Sequence, residues 1–400
     1  MPGCHSKHIS GSCYELAHTW SSSCSLSAID VFLNCFKYAL RLYAPLYFIS
    51  GVMTRKRKEY FMKKLLKEIL QSSLFLATNG GMMVVMFCTF RKVLGSFYFY
   101  SVGLMPGILS SLCAILIERK NRRGALAVYM FNQALDTTFN ILKHDGYAKD
   151  IRYGEVYLFA STMALLMYMY RSNNLPDGFI KVLFDSGLRD RPRHDMYESP
   201  GYGYAHMVHC CKLSGQAFLG GFGLQAAYNL LSVLPKSLKN PEKLIFALLE
   251  KRNFRTGAFL GSFVGIYKLM EVLLSKYPKS NRHVNAALAG GVAGLSMFFQ
   301  RSSYIATYLA SKTIELYYMN GIHKGVFPYI KHFDSFLYAI CTGIMFHAAV
   351  VQPLFLRNTY WSFLLKLTGK RFDAINRFKL DVWGLDSSKI DRLAAQKKSL

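Results

Sequence analysis

Two acidic residues, Asp136 and Glu315, lie inside long apolar stretches of the chain. An ionisable side chain within a membrane helix is a candidate for proton relay or for contact with a polar substrate. The alternative is a structural ion pair. Lys312 precedes Glu315 by three residues, a spacing at which side chains meet on one helix face. We favour structural pairing and keep Asp136 and Glu315 as a candidate intramembrane polar pair.

Cysteine and histidine residues near the start of the chain have the chemistry of zinc ligands. Cys13, His18 and Cys24 could join residues 209–211 (HCC) in a tetrahedral site. The gaps of five and six residues match no compact zinc motif. We therefore favour unpaired cytosolic cysteines, or cysteines palmitoylated near the membrane, and predict no bound metal and no other cofactor.

The sequence contains no recognisable catalytic motif. A phosphate-binding glycine loop, a GxSxG nucleophile turn and an HExxH metal site are all missing from it. No pairing of a nucleophile with a base can be identified either. We therefore predict that the protein is not an enzyme.

Glycines recur at a spacing that indicates helix packing. Gly257, Gly261 and Gly265 are four residues apart, as are Gly290 and Gly294, so each set lies on one helix face. Small residues at this spacing let two backbones approach closely inside a bilayer. We interpret these five as helix-packing glycines and not as a nucleotide-binding fingerprint.

Eight apolar segments predict a polytopic all-α membrane protein. Each approaches or meets the length of about 17–25 residues that a spanning helix needs. One helix precedes each group of four, over 28–53 and 213–234, and is predicted to be amphipathic and to lie at the membrane interface. In the first of these, Lys37 and Arg41 near the centre make a full span, the alternative, costly. The eight segments are 69–90, 97–117, 124–142, 154–170, 256–275, 284–299, 304–319 and 334–356.

The two groups of four segments resemble each other in register, which indicates an internal duplication. A shift of 176 places Gly81 on Gly257, and further along a shift of 179 places Asp136 on Glu315. The same second shift places Glu155 on Asp334. Chance alignment of apolar helices is the alternative, and two acidic residues at equal spacing in both halves argue against it.

The duplication predicts five regions. Residues 1–27 form a polar, Cys- and His-rich segment, and residues 28–172 form the first membrane repeat. Residues 173–209 form a polar linker, residues 210–356 the second repeat, and residues 357–400 a basic tail. The apolar patch YWSFLLKL in this tail is predicted to lie on the membrane surface.

The charge balance predicts the orientation in the membrane. The chain carries 49 Lys and Arg against 23 Asp and Glu, a net charge of +26, and most cations lie in short breaks between apolar segments. This distribution favours anionic lipid over nucleic acid as a partner. In both halves most cations fall on one side, so the repeats are predicted to be parallel. Both termini are then expected on the cytosolic side.

Nine peptides give the chain a broad resemblance to the transmembrane protein 135 family. They extend over most of the sequence and are specific to that family. They are CYELAHTW (with Cys24), YAPLY, RKRKEYF, EILQSSLFLATNG, AILIERKNRRG, RYGEVYLF, GAFLGSFVGIYK, YLASKTIE and YWSFLLKLT.

The second half also has a distant resemblance to the Tim-type preprotein and amino-acid transporter family. Ala289, Gly290 and Gly294 fit the small-residue end of that family's signature. Arg282 and Pro278 occupy its acidic and arginine positions, so the signature is only half kept. We therefore do not infer a role in protein translocation from this resemblance.

The first resemblance implies a multi-pass protein of peroxisomal and mitochondrial membranes. It implies roles in mitochondrial fission, peroxisome organisation and lipid metabolism. The basic face, including Arg55–Lys64, is expected to recruit anionic lipid or partners such as cytosolic fission machinery. The alternative function is a transporter or channel for a fatty acyl or other metabolite, with Asp136 and Glu315 lining the path. The sequence does not define an oligomeric state.

Overall fold

The computed structural model describes residues 7–172, 174, 202–237, 242–275 and 281–385. These residues form helices and no β-strand, which confirms the predicted all-α class. In chain order, the helices are α1 (Cys13–Leu16), α2 (Cys24–Met53), α3 (Leu65–Leu94), α4 (Leu104–Ile117), α5 (Lys120–His144), α6 (Gly154–Arg171), α7 (Tyr202–Ser237), α8 (Glu242–Leu249), α9 (Lys251–Ser275), α10 (Arg282–Gly294), α11 (Ser303–His323), α12 (Phe333–Val351) and α13 (Asn358–Leu367).

Local sequence signals define several helix ends. The Ser23 side chain accepts a hydrogen bond from the backbone N–H of Leu26 and caps the start of α2. Ser302 caps α11 in the same way. These serines satisfy backbone N–H groups that have no partner within the helix. Gly95, at φ +72°, ends α3 in the left-handed conformation that glycine adopts most readily.

Four helical segments in the described part of the chain are long and apolar enough to cross a membrane: Tyr60–Leu94, Phe99–Ile117, Leu244–Leu274 and Phe333–Val351. They overlap four of the eight predicted spans and confirm a membrane protein. The other four predicted spans also form helices, namely α5, α6, α10 and α11. Helix α10 has only 13 residues, which gives about 20 Å of helix against a hydrocarbon core of about 30 Å.

The backbone repeats with the spacing of 179 residues that the sequence predicts. Gly146 and Gly325 both have positive φ, at +81° and +71°. Tyr153 and His332, which directly precede α6 and α12, both have a φ of +62°. Positive φ is uncommon in residues other than glycine. Its recurrence at matching positions therefore supports the duplication independently of side-chain similarity.

The described helices form two compact units, which are divided differently from the sequence repeats. Unit 1 contains residues 1–149 and 330–400, and unit 2 contains residues 150–329. Helix α12, the last helix of the second repeat, packs against α4 and α5 in unit 1. Helix α6, the last helix of the first repeat, packs against α10 and α11 in unit 2. The two repeats have therefore exchanged their final helices.

The predicted glycines of α9 pack this helix against α7. A Cβ atom added to Gly257 or Gly261 would lie 3.0 Å from a backbone oxygen of α7, that of Phe218 or Ser214 respectively. Gly265 lies against the Ser214 side chain. Helices α7 and α9 thus form an antiparallel pair at close range, as expected for small residues on one face.

The predicted glycines of α10 pack against α6. A Cβ atom on Gly294 would lie 2.6 Å from the Ala160 Cα atom, and one on Gly290 would lie 2.8 Å from the Met163 carbonyl oxygen. Unit 1 has a matching contact, because a Cβ atom on Gly107 of α4 would lie 2.9 Å from the Gly343 Cα atom of α12. Each exchanged helix is therefore held by close backbone contact.

The helices predicted to lie at the interface, α2 and α7, pack lengthwise against the helix that follows. In unit 1, Gly80 of α3 contacts Cys35 of α2, and Gly81 contacts Phe32. Neither α2 nor α7 is among the candidate spans found in the described part of the chain. Each is thus one arm of a helical hairpin with α3 or α9.

The described part of the tail, residues 357–385, packs within unit 1. Tyr360, Trp361, Leu364 and Leu367 of α13 are buried there. The predicted placement of this apolar patch on the membrane surface is therefore wrong, because its apolar face is covered by protein.

The N-terminal segment packs against residues of the same tail. The Trp383 indole N–H donates to the Lys7 carbonyl at 2.9 Å, and the Asn376 backbone N–H donates to the Leu16 carbonyl at 2.9 Å. Lys379 pairs with Glu15, and this contact lowers the pKa of the Glu15 carboxyl.

Candidate functional site

A mostly apolar cavity lies inside unit 1. Its volume is about 210 Å³, somewhat below the roughly 300–1,000 Å³ of typical ligand sites. Side chains of α2, α3, α5, α12 and α13 line it, together with residues 16–20 and 371–375. Apolar examples from four of these helices are Phe75, Phe87, Met130, Phe346 and Leu364.

The polar groups deep in this cavity are satisfied by each other. The Asn79 side-chain amide donates to the Tyr338 hydroxyl at 3.1 Å, and the Ser111 hydroxyl donates to the Asn79 oxygen at 3.1 Å. Asn79 and Tyr338 are both buried. Because these groups have partners, this part of the cavity wall behaves as an apolar surface and also holds α3, α4 and α12 together.

One part of the cavity wall carries a cation. The Arg371 guanidinium lies 4.7 Å from the Trp20 ring, and its Nε donates to Asp30 at 2.8 Å. Both residues of this ion pair are about one-third exposed. The Trp20 indole N–H is buried without a hydrogen-bond acceptor among the described residues. This region therefore combines positive charge with an unused hydrogen-bond donor.

Each member of the predicted polar pair has a cationic partner within its own unit. The Asp136 carboxylate accepts a hydrogen bond from Arg357 at 2.6 Å, and Glu315 accepts one from Lys312 at 2.7 Å. The Lys312 pairing was predicted from its spacing, whereas Arg357 is 221 residues from its partner. Asp136 is not among the residues that line the cavity.

A buried charge network at the junction of α4 and α5 was not anticipated from the sequence. The Glu118 side chain is fully buried and pairs with Arg122 at 3.0 Å, while Arg119 pairs with Glu68 at 2.6 Å. The Tyr47 hydroxyl accepts hydrogen bonds from both arginines. The spacing of four residues between Glu118 and Arg122 is the signal that could have revealed part of it.

The structure brings together three of the cysteine and histidine residues singled out in the sequence, and adds a fourth. The possible ligand atoms of Cys13, His18, Cys24 and Cys88 all lie within 4.8 Å of one another. Cys88 lies on α3, within the segment 69–90 that the sequence predicts to span the membrane. The pKa of the Cys13 thiol is lowered to about 6, first because Cys88 donates a hydrogen bond to it. Residues 209–211 lie on α7 in unit 2.

Comparison with known proteins gives one family match. Residues 10–142 match the family described as the N-terminal cysteine-rich region of Transmembrane protein 135. This range contains the four-residue cluster, the charge network at Glu118 and the α2–α3 hairpin. No solved structure matches the chain. The match covers about one third of the chain, and residues 10–142 are thus similar to this region of the transmembrane protein 135 family, in agreement with the resemblance seen in the nine peptides.

Proposed function

We propose that this chain is a non-enzymatic, multi-pass organelle membrane protein that binds the acyl chain of a lipid in the cavity of unit 1. The cavity carries the proposal, because an apolar space that runs between several helices favours an apolar chain as its ligand. Lipid binding would link the protein to the lipid metabolism that its family resemblance implies.

The polar region at Arg371 and Trp20 fits the head of such a ligand. An arginine guanidinium recognises carboxylate or phosphate oxygens through several N–H donors in a fixed plane. Arg371 is held in place by Asp30 and the Trp20 ring. A fatty acyl chain with an anionic end would therefore place its head here and its chain among the apolar side chains.

A photoactivatable palmitate analogue tests this proposal with the full chain in phosphatidylcholine nanodiscs. Leu126 lines the cavity from α5, so Leu126→Trp should fill part of it and reduce crosslinking several-fold. Leu135→Trp is the matched control, because it makes the same change at an exposed position of the same helix. Equal labelling of both variants, or labels confined to outward-facing residues, would contradict binding in the cavity.

Transport of the acyl chain is the second candidate function, favoured by the open mouth of the cavity. Measuring the flux of a fatty acyl substrate across proteoliposomes distinguishes transport from binding. If Asp136 and Glu315 lined the path, Asp136→Asn and Glu315→Gln would abolish flux. We expect no such loss, because each carboxylate already has a cationic partner.

The organelle role rests on the resemblance to the transmembrane protein 135 family. We propose location in peroxisomal and mitochondrial membranes, with Arg55–Lys58 on the cytosolic side, and regulation of mitochondrial fission and peroxisome organisation. The predicted cytosolic N-terminus does not fit this arrangement if α3 spans the membrane, because Ile9 pairs with Phe97 beyond the opposite end of α3. The basic residues Arg55–Lys58 are exposed and available to anionic lipid or to a partner. Reversing their charges should alter mitochondrial length without changing the location of the protein. Unchanged morphology would argue against a role for this face, and protease protection of both termini tests the topology.

A further inference from the structure

A cluster of four potential metal ligands joins the N-terminal segment to two helices of unit 1. Cys13 begins α1, His18 follows that helix, Cys24 begins α2, and Cys88 lies near the end of α3. Their ligand atoms lie within 4.8 Å of one another. Three thiols and one imidazole form a Cys₃His set, one of the combinations that bind structural zinc.

The spacing within the cluster is close to that of a tetrahedral zinc site. With Zn–S near 2.3 Å and Zn–N near 2.0–2.1 Å, a sulfur and a nitrogen ligand are about 3.5 Å apart, and two sulfurs about 3.8 Å. The distance between Cys88 Sγ and His18 Nε2 is 3.5 Å. A bound ion thus requires only small side-chain adjustments.

The orientation of His18 is a second, independent observation. Its Nδ1 atom is 2.7 Å from the Ser21 carbonyl oxygen, which can only accept a hydrogen bond. Nδ1 must therefore carry the proton, and in the neutral ring Nε2 keeps its lone pair. His18 is only 1% exposed, so the ring is held with Nε2 towards the thiols. A hydrogen bond from the other ring nitrogen commonly fixes a metal-bound histidine in this way.

We propose that Cys13, His18, Cys24 and Cys88 bind one zinc ion in a structural site. Four protein ligands complete a tetrahedral shell, so no position is left for water or substrate. Binding requires the three cysteines as thiolates, and their protons pass to solvent. The sequence grouped Cys13, His18 and Cys24 with residues 209–211; Cys88 from α3 instead completes the set within one compact unit.

The ion would fasten the N-terminal segment beside the cavity. Leu16, Ala17, His18 and Trp20 all belong to the cavity wall, and ligands precede, lie within and follow this stretch. Without the ion, the stretch would be held by backbone contacts such as that between Asn376 and Leu16. Zinc removal should therefore increase amide exchange across residues 9–20.

Metal analysis of the full chain, purified in detergent without chelator, tests the proposal directly. We expect about one zinc per chain by mass spectrometry, and its loss in Cys13→Ser and Cys88→Ser. Cys113→Ser is the matched control, because Cys113 is an exposed cysteine of α4 in the same unit. Wild-type protein that contains no zinc and takes up none from solution would overturn the proposal, as would equal zinc loss in the control.

Measurements on the wild-type chain keep the test valid if a variant fails to fold. Replacement of zinc by Co²⁺ should give the visible absorption of a tetrahedral cobalt–thiolate centre. Chelation should increase alkylation of Cys13, Cys24 and Cys88 and leave that of Cys113 unchanged. A disulfide between any two cluster cysteines in the native protein, or alkylation unaffected by the chelator, would refute a zinc site.

Discussion

The sharpest stability prediction concerns Glu118, whose buried carboxylate organises the junction of α4 and α5. Its Oε2 atom is 3.0 Å from the Arg122 guanidinium, and its Oε1 atom accepts the Arg119 backbone N–H at 2.9 Å. The Ser72 hydroxyl donates to the same carboxylate at 3.3 Å. Glu118→Gln keeps the size of the side chain and removes its charge, so two arginines lose their central counter-charge.

The expected cost follows from the burial of the network. Removing one partner of a fully buried ion pair costs about 3–5 kcal/mol. The side chains of Arg119 and Arg122 are 20% and 24% exposed, so water partly compensates for the missing carboxylate. We therefore expect Glu118→Gln to lower the free energy of unfolding by about 2–3 kcal/mol, since solvent screens partly exposed charges.

The measurement is reversible unfolding in mixed micelles, with a double-mutant cycle of Glu118→Gln and Arg122→Gln. The control is Glu59→Gln, which changes an exposed acidic residue of the same unit and should alter stability by less than about 0.5 kcal/mol. A loss of stability in Glu118→Gln no larger than in this control, or a coupling energy near zero between Glu118 and Arg122, would contradict a stabilising role for the network.

Further predictions compare the acidic pair and a packing glycine. Arg357→Gln should lower the free energy of unfolding by about 1–2 kcal/mol, because its ion pair with Asp136 is mostly buried. A double variant that exchanges the two residues, Asp136→Arg with Arg357→Asp, restores the opposite charges and should recover part of this loss. Lys312→Gln should cost less than about 1 kcal/mol, since its pair with Glu315 is about one-third exposed. Gly294→Leu should destabilise unit 2 by at least about 1–3 kcal/mol, because the added side chain would overlap Ala160. Thermal unfolding in detergent measures the stability of all these variants.

The sequence could predict the helices and their duplication because both depend on local patterns. Apolar segments of membrane length, capping serines and the shift of 179 residues all lie in the linear sequence. The matching positive φ values at Tyr153 and His332 show that this register is also a property of the backbone. Local pattern was thus sufficient for the class of fold.

The site could not be assembled from the sequence, because its members meet only through tertiary packing. Cys88 is 70 residues from His18, and Arg357 is 221 residues from Asp136. Neither pairing leaves a periodic signal. The cavity is likewise a property of packing, since no single helix shows that its neighbours leave space beside it. Only the i,i+4 spacing of Glu118 and Arg122 is a sequence signal from which one of these buried contacts could have been predicted.

The exchange of final helices makes a prediction about assembly of the two repeats. Helix α12 is made after all other helices of unit 1 except α13, yet it supplies buried residues such as Tyr338 and Met345. A fragment ending after Asn174 would therefore lack part of the unit 1 core while carrying α6, which packs in unit 2. The complementary fragment, beginning at Tyr202, would lack α6 and carry α12.

Two such fragments should be unstable when each is expressed alone and should co-purify when expressed together, because each contains the helix that completes the other's unit. Gly294→Leu in the second fragment should weaken this association, since Gly294 contacts α6 directly, whereas Gly223→Leu on α7 is a control with open space beside its Cα atom. If either fragment were monodisperse and stable alone, or if the pair failed to associate, the exchanged arrangement would not describe the folded protein.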